Sequence, residues 1–406
     1  MNLLFLSYWG LEDPLTVSTV FPHLRLLQQL PEVKHIVLVT IERGPGANRE
    51  LHLGSEFATN KITLAPLRSR QNQPLLLNKI DDFVRFPNEL VNLVQRHTIE
   101  VIIGRGAPAG ALAYLVWKKT QTPFLVESFE PHADYMLESG VWKAYDPRYL
   151  FQRYWEKKQK QLAVGLMPVA ENYRRKLIQE GVAARNIVTV PCSVNVADFS
   201  YDSSRRQQVR TRLGIAADAP VGIYVGKFGD IYYDAEAFDL FRDAAAHFGP
   251  NFRLIVLTPN PEPEVRAKLA KVGFSTEQVF VTKSPHAEVP DYLSASDFAF
   301  ATIKPAECRR FCSPIKVGEY WAAGLPVLLT EGVGDDSDII KQEGGGAIFN
   351  LDQPATVPAA LQRIAFLLQK PDYRKKIREL AVRHRAVTRA AEAYEQLLLP
   401  LAMQHP

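Results

Sequence analysis

Ser313-Pro314-Ile315-Lys316-Val317-Gly318-Glu319-Tyr320-Trp321-Ala322-Ala323-Gly324-Leu325-Pro326-Val327-Leu328-Leu329-Thr330 is the stretch on which the reading of this chain turns. Ser313 suits a helix N-cap and Pro314 the first helical position, so a helix is expected to start here. Lys316 in its first turn adds a full positive charge to the partial charge of the helix N-terminus, a combination that suits a pyrophosphate. Glu319, three residues on, shares that face, and an ionised carboxylate matches the paired hydroxyls of a ribose. Gly324 then ends the helix and Pro326 introduces a buried strand. The alternative is a capped amphipathic helix with Lys316 and Glu319 solvated on its outer side.

Working outward, short apolar β-branched runs alternate with helical patterns, and the series occurs twice. The first series comprises Leu3 to Ser7, His35 to Thr40, Val101 to Gly104, Phe124 to Glu127, Leu166 to Val169 and Ile187 to Val190. Helical stretches are expected around Phe21 to Leu30, Ala109 to Lys119, Arg148 to Gln161 and Asn172 to Glu180. The second series restarts at Val221 to Val225 and continues with Leu254 to Leu257, Val279 to Thr282, Phe298 to Ala301, Val327 to Thr330 and Ala347 to Phe349. The pattern predicts an α/β protein of two Rossmann-like, doubly wound domains facing a central cleft, with function in the loops after the strands. We divide it into an N-terminal acceptor-binding domain over 1–193, a donor-binding domain over 194–384 and a C-terminal helix over 385–406, packing on either domain. The polar segment from Val194 to Pro220 reads as the hinge.

Composition narrows the classes. A chain of 406 residues with 47% hydrophobic and 23% charged residues is globular and long enough for two cores. A net charge of +4 suits anionic small molecules or an anionic membrane surface, and no nucleic-acid-binding motif is present. Cys192, Cys308 and Cys312 form no paired framework, which points to a reducing, cytoplasmic compartment, and no histidine cluster completes a metal site around them. Met1 to Tyr8 reads as a first buried strand, and no apolar run of about 20 residues is present to span a bilayer.

The Ser-Pro-x-Lys-x-x-Glu-Tyr-x-Ala-x-Gly-x-Pro-Val pattern resembles the donor-site motif of glycosyltransferase family 4 and its relatives, enzymes of the GT-B fold. Val190-Pro191-Cys192-Ser193-Val194-Asn195 through Phe199 is similar to that family's interdomain segment. Tyr224-Val225-Gly226-Lys227 resembles the turn opening its donor domain, and His286 through Asp297 the stretch before its donor helix. The resemblance runs in order from Leu166 to Gly346. Two departures stand out. Counting back from Glu319, the family's first glutamate falls on Phe311, with Glu307 outside the register. Of the basic pair after the first donor-domain strand only Lys227 is matched, the second position falling near Tyr233. The resemblance therefore implies that Gly226, Lys227, Lys316 and Arg309 or Arg310 hold the donor phosphates, with Ser313, Pro314 and Glu319 completing the site.

On the acceptor side, Gly10 follows the opening strand, where it either lets a backbone approach phosphate or acceptor or simply makes a tight turn. Arg105 after the Val101 strand either holds an anionic acceptor or bridges the domains. Glu127, Glu130 and His132 follow another strand end where relatives carry a histidine or acid, and are the catalytic candidates. His132 is the candidate partner of the reacting sugar, and Glu127 or Glu130 that of the acceptor hydroxyl. Basic residues from Lys143 to Lys176, interleaved with Trp142, Tyr145, Tyr149, Tyr154 and Trp155, either rest on an anionic membrane or form a solvated face with the aromatics turned inward.

The resemblance implies a glycosyltransferase moving a hexose from a UDP- or GDP-sugar to a glycan, lipid-linked or small-molecule hydroxyl. It also implies retention of anomeric configuration, no metal and no cofactor beyond the nucleotide sugar. The expected location is cytoplasmic, with peripheral contact on the inner membrane face an open alternative. The rival readings are a nucleotide-sugar epimerase or glycan phosphorylase of the same fold, and a catalytically silent nucleotide-sugar-binding scaffold, which Phe311 in place of glutamate favours.

Overall fold

The computed structural model describes residues 1–13, 15–44, 49–55, 57, 60–70 and 75–403; 404–406, the end of the expected C-terminal helix, lie outside the described residues. The chain divides into two units. The first comprises Met1–Pro191 and Val387–Pro406, and the second Cys192–Ala386.

In the first unit, β1 (Asn2–Ser7), β2 (His35–Val39), β4 (Ile62–Leu64), β6 (Val101–Arg105), β7 (Phe124–Phe129) and β8 (Gly165–Pro168) form a parallel sheet of order β4-β2-β1-β6-β7-β8. Two short segments, β3 (Ile41–Glu42) and β5 (Leu67–Arg68), pair beside it. In the second unit, β9 (Val221–Val225), β10 (Arg253–Leu257), β11 (Val279–Thr282), β12 (Phe298–Ala301), β13 (Val327–Thr330) and β14 (Gly346–Phe349) are also parallel, in the order β11-β10-β9-β12-β13-β14. Strand order reverses at β1/β6 and at β9/β12, and at such a reversal the helices diverge and open a crevice beyond the strand carboxyl ends. That geometry places the turns after β1, β6, β9 and β12 where ligands of such sheets bind.

Each sheet is buried on both faces, which is why the strands read as near-continuous apolar runs. Leu3, Phe5, Ile36, Ile103 and Leu125 lie in one core of the first unit, and helix Thr388–Ala402 adds Ala390, Ala393, Tyr394, Leu397 and Leu398 to it. Gly165 permits that docking: a Cβ there would lie 3.1 Å from Leu397. In the second unit an aromatic cluster including Tyr224, Phe241, Phe252, Phe298 and Phe300 fills one side of the sheet.

Several expectations are corrected. Ile187 to Val190 forms no strand; Ile187 makes only an isolated bridge to Leu166. The sequence reading omits helix Leu75–Arg96, which carries Pro87 in its interior. The polar segment read as a hinge folds into the second unit, where Val194, Phe199, Val209 and Ile215 join its core. Its helix Ser203–Arg212 is capped by the Asp202 carboxylate, which accepts the Ser204 and Arg205 amides. Arg206 and Arg210 reach Asp297 at 2.8 Å, so these charges serve packing. Arg385 ends helix Tyr373–Arg385 and does not begin the last one. Among the described residues no helix is long and apolar enough to cross a membrane.

Candidate functional site

The helix expected from the opening motif spans Ile315–Ala322. Pro314 occupies the N-cap and makes no side-chain cap bond, which corrects the assignment of Ser313 to that role. The Ser313 hydroxyl instead accepts the Cys192 amide at 3.0 Å and a bond from Arg385, whose guanidinium also donates to the buried Asp336. Gly324, with φ of +72°, lies just past the helix end in the left-handed region where a side chain would be strained. A Cβ there would also lie 2.7 Å from the Arg374 carbonyl oxygen.

Two side chains pin this helix to the sheet. The Tyr320 hydroxyl accepts the Val225 amide at 3.0 Å, and the Trp321 indole donates to the Gly345 carbonyl at 2.9 Å. The first contact fixes the helix against the carboxyl end of β9, next to the strand-order reversal. Lys316 is thereby held beside Gly226, where an added Cβ would come within 2.5 Å of the Lys316 Nζ. The ammonium lies 4.1 Å from the Tyr232 ring centroid and 5.5 Å from that of Tyr224. It is buried and has no hydrogen-bond partner. Burial pushes its pKa down to about 8, against an opposing pull from Glu319. A buried cation in the first turn of a helix, lacking a hydrogen-bond partner, favours an anion beside it.

Glu319 is nearly buried, and its Oε1 lies 2.8 Å from Nε2 of the exposed His286. The hydrogen bond to Glu319 raises the His286 pKa above its ordinary value, outweighing desolvation. His286 went unassigned in the sequence reading; the signal available was its place at the head of the stretch preceding the donor helix. In an NMR titration the His286 ring should titrate above pH 6.5, and Glu319→Gln should return it towards that value; a titration unchanged by the substitution would dissolve the pair.

Lys227 is half exposed and pairs with Asp230 at 2.6 Å, leaving Gly226 as the residue of this turn that touches Lys316. Arg309 is buried in the turn Glu307–Phe311, donating to the Cys308 sulfur at 3.4 Å, while its carbonyl accepts the Gly334 amide at 2.9 Å. Phe311 is buried there, and Glu307 and Arg310 are exposed. Asp336-Ser337-Asp338 has the spacing of a metal-binding Asp-x-Asp, but Asp336 is fully buried against Arg385. Among the described residues no group of three His, Cys, Asp or Glu side chains is placed to hold a metal ion.

In the first unit, Glu127 is 1% exposed and enclosed by Arg105, His23 and Tyr394. Its Oε1 accepts from Arg105 and lies 2.8 Å from His23 Nδ1, and its Oε2 accepts the Tyr394 hydroxyl at 2.7 Å. This corrects the reading of Glu127 and Arg105 as groups open to an acceptor: their charges are spent on each other inside the core. Burial, with a contribution from Arg105, pushes the His23 pKa well below its ordinary value, so His23 is neutral there. Gly10 faces Glu42, whose Oε2 would lie 2.6 Å from an added Cβ and whose Oε1 accepts the Leu11 amide at 2.9 Å. Glu130 and His132 remain open to solvent, 3.7 Å apart, with the His132 ring edge-on to Trp142. The following turn is braced by buried Glu156, which accepts the Ala133 amide at 2.9 Å and whose pKa burial raises to about 7.

Residues 219–368 match the family model described as glycosyl transferases group 1. No curated protein matches the sequence. Among solved structures, HepE of Anabaena in complex with UDP is similar at a TM-score of 0.72 and 13% identity, covering 98% of this chain and 100% of that one. The E. coli trehalose-6-phosphate structure bound with UDP-2-fluoro glucose matches at a TM-score of 0.69 and 13% identity, over 99% of both chains. WaaG, a glycosyltransferase involved in lipopolysaccharide biosynthesis, matches at 0.65 and 14% identity, over 97% of this chain and 98% of that one. At these identities the likeness establishes the fold, which is GT-B.

Proposed function

We propose that this chain, whose residues 219–368 match the group 1 glycosyltransferase family model, moves a hexose from a UDP- or GDP-sugar to a hydroxyl of a glycan, lipid-linked or small-molecule acceptor. The observation that carries the reading is the buried Lys316 ammonium, without a hydrogen-bond partner and placed beside Gly226 at a helix N-terminus. Negative charge grows on the departing diphosphate as the bond from the anomeric carbon to its oxygen breaks. A cation already in place and already desolvated stabilises that charge without reorganising. Glu319 would take the ribose hydroxyls, exchanging His286 for them. The UDP and UDP-2-fluoro glucose in two similar structures support a uridine nucleotide.

In the first unit the solvent-reachable pair Glu130 and His132 is proposed to orient the acceptor and handle its proton. Retention of configuration, no metal and no cofactor beyond the nucleotide sugar complete the proposal, together with a cytoplasmic location. Buried Phe311 leaves the sugar end without the family's first carboxylate, so sugar recognition is expected to rest on other groups.

A thermal-shift panel of UDP-, GDP-, ADP- and dTDP-sugars tests the reading. One nucleotide should stabilise the protein well above the others, since a ligand held only by the folded state adds about 2.7 kcal/mol at a hundredfold excess over its Kd. Glu319→Ala should abolish that shift, and a shift of the same size would remove Glu319 from the ribose. Slow release of free sugar marks an enzyme, whereas tight binding without turnover on any acceptor marks a scaffold.

A further inference from the structure

The helix that carries Lys316 and Glu319 ends against a cavity of about 380 Å³, at the lower end of the range for small-molecule sites. Ala323 and Gly324, just past that helix, line part of it, and Ser200 and Tyr201 another part. The first turns of helix Tyr373–Arg385 supply Arg374, Lys375 and Arg378. All of these residues belong to the second unit. The cavity therefore lies at the far end of an eight-residue helix from the buried Lys316 ammonium, about 12 Å along its axis.

Positive charge collects around this cavity with few carboxylates to meet it. Asp297 serves three arginines at once, Arg206 and Arg210 at 2.8 Å and Arg374 at 3.7 Å. Burial, with repulsion from Arg206 and Arg374, lowers the Arg210 pKa although Asp297 pulls it up. Arg378 has no acidic partner among the described residues; it donates to the Ala322 carbonyl and, at 2.9 Å, to the Ser200 hydroxyl. Those two bonds leave further N–H groups of its fork to give. Lys375 is exposed, and among the described residues no carboxylate pairs with it, neither Asp372, which also lines the cavity, nor Glu379 one turn on. Asp202 is turned to its own helix, where it accepts the Ser204 and Arg205 amides. The carbonyls that end helix Ile315–Ala322 offset only about half a charge. An anion is what these cations lack.

Beside the charges the lining is apolar. Tyr201 is 38% exposed, and the Arg374 guanidinium lies over its ring, 4.3 Å from the centroid. Ala323, Gly324 and Pro371 add no polar side chain. A bare phosphate would meet the cations and leave this lining uncovered, whereas a phosphate ester would use both. We propose that the cavity binds a small organophosphate, its phosphate between Lys375 and Arg378 and its apolar body against Tyr201. This second anion site does not rest on the donor reading, since none of its side chains belongs to the Lys316 site.

Isothermal titration calorimetry of the full chain carrying Lys316→Met, which removes the cation of the donor site, with phenyl phosphate as the probe is the test. One molecule should bind per chain, inorganic phosphate about tenfold more weakly, and salt should weaken both. In that background Lys375→Glu should raise the Kd about tenfold or more, and Asp372→Asn should lower it about threefold. Both side chains are exposed, so both variants should keep the Tm of their parent. They decide the matter even where Arg378→Met loses stability with its bonds to Ala322 and Ser200. A Kd above about 10 mM in the Lys316→Met chain would overturn the proposal. So would folded charge variants that bind phenyl phosphate like their parent, or benzyl alcohol binding equally well.

Discussion

Lys316→Met should lower kcat/KM for the best nucleotide sugar by about 10²- to 10³-fold while making the unliganded protein more stable. The two halves of this expectation have one cause. The ammonium lies buried between the rings of Tyr232 and Tyr224 with no hydrogen-bond partner, and burial lowers its pKa from 10.5 to about 8. At about 1.4 kcal/mol per pH unit, holding the charged form there costs about 3 kcal/mol. Methionine keeps the length and apolar body of the side chain and removes that cost. Urea unfolding of the two proteins without ligand measures the stability half, and initial rates over a range of donor concentrations the kinetic half. A variant that turns over donor like the wild type would remove Lys316 from the phosphates.

The same lysine sets a pH dependence. Below pH 8 the amine is charged in both the folded and unfolded states, and the penalty is fully present. Between about pH 8 and 10.5 the folded amine has lost its proton and the unfolded one has not, so the stability of the unliganded protein rises with pH across that window. A bound diphosphate draws the proton back, so donor binding should take up a proton above about pH 8 and weaken as pH climbs. Lys316→Met should flatten both trends, as chemical unfolding and calorimetric titration in buffers of different ionisation enthalpy would show.

Why these groups were legible, and their partners were not, follows from distance along the chain. Lys316 and Glu319 share one helical turn bounded by Pro314 and Gly324, so local spacing reveals them. His286, Tyr232 and Arg385 reach that turn from other elements, and only the folded chain brings them there. The same contrast holds for the fold. Strands Val221–Val225, Val279–Thr282, Phe298–Ala301 and Val327–Thr330 read with their observed bounds, since a parallel strand covered on both faces is apolar throughout. Edge strand Ile62–Leu64 is too short to show a pattern. Helix Leu75–Arg96 is disguised by Pro87 in its interior, a residue that in a sequence reads as the end of a helix. Glu127 misled for the converse reason. A carboxylate at a strand's carboxyl end has the address of a catalytic group, and the residues that neutralise it are remote, with Tyr394 267 positions away.

That network makes the Glu127 substitution decisive between structure and chemistry. Glu127→Ala is expected to cost the first unit about 3–5 kcal/mol, the usual consequence of removing one member of a buried ion pair. Arg105 would be left charged and nearly enclosed, and His23 and Tyr394, which also bond each other at 3.0 Å, would each lose a carboxylate oxygen. Arg105→Met/Glu127→Leu should restore most of the loss, because an apolar pair of similar volume leaves no charge buried alone. Calorimetry of the first unit's transition in the single and double variants measures the coupling. Were Glu127 the base for the acceptor, the alanine variant would instead lose turnover at an unchanged transition, and the double variant would be no more active than the single one. His23 adds a pH signature to the structural outcome. Its folded pKa lies well below 6.5, so as pH falls through 6.5 the unfolded imidazole gains a proton that the buried one refuses, and stability is lost on the acid side. In His23→Leu that acid-side loss should shrink, while its rate with soluble donor and acceptor stays close to that of the wild type.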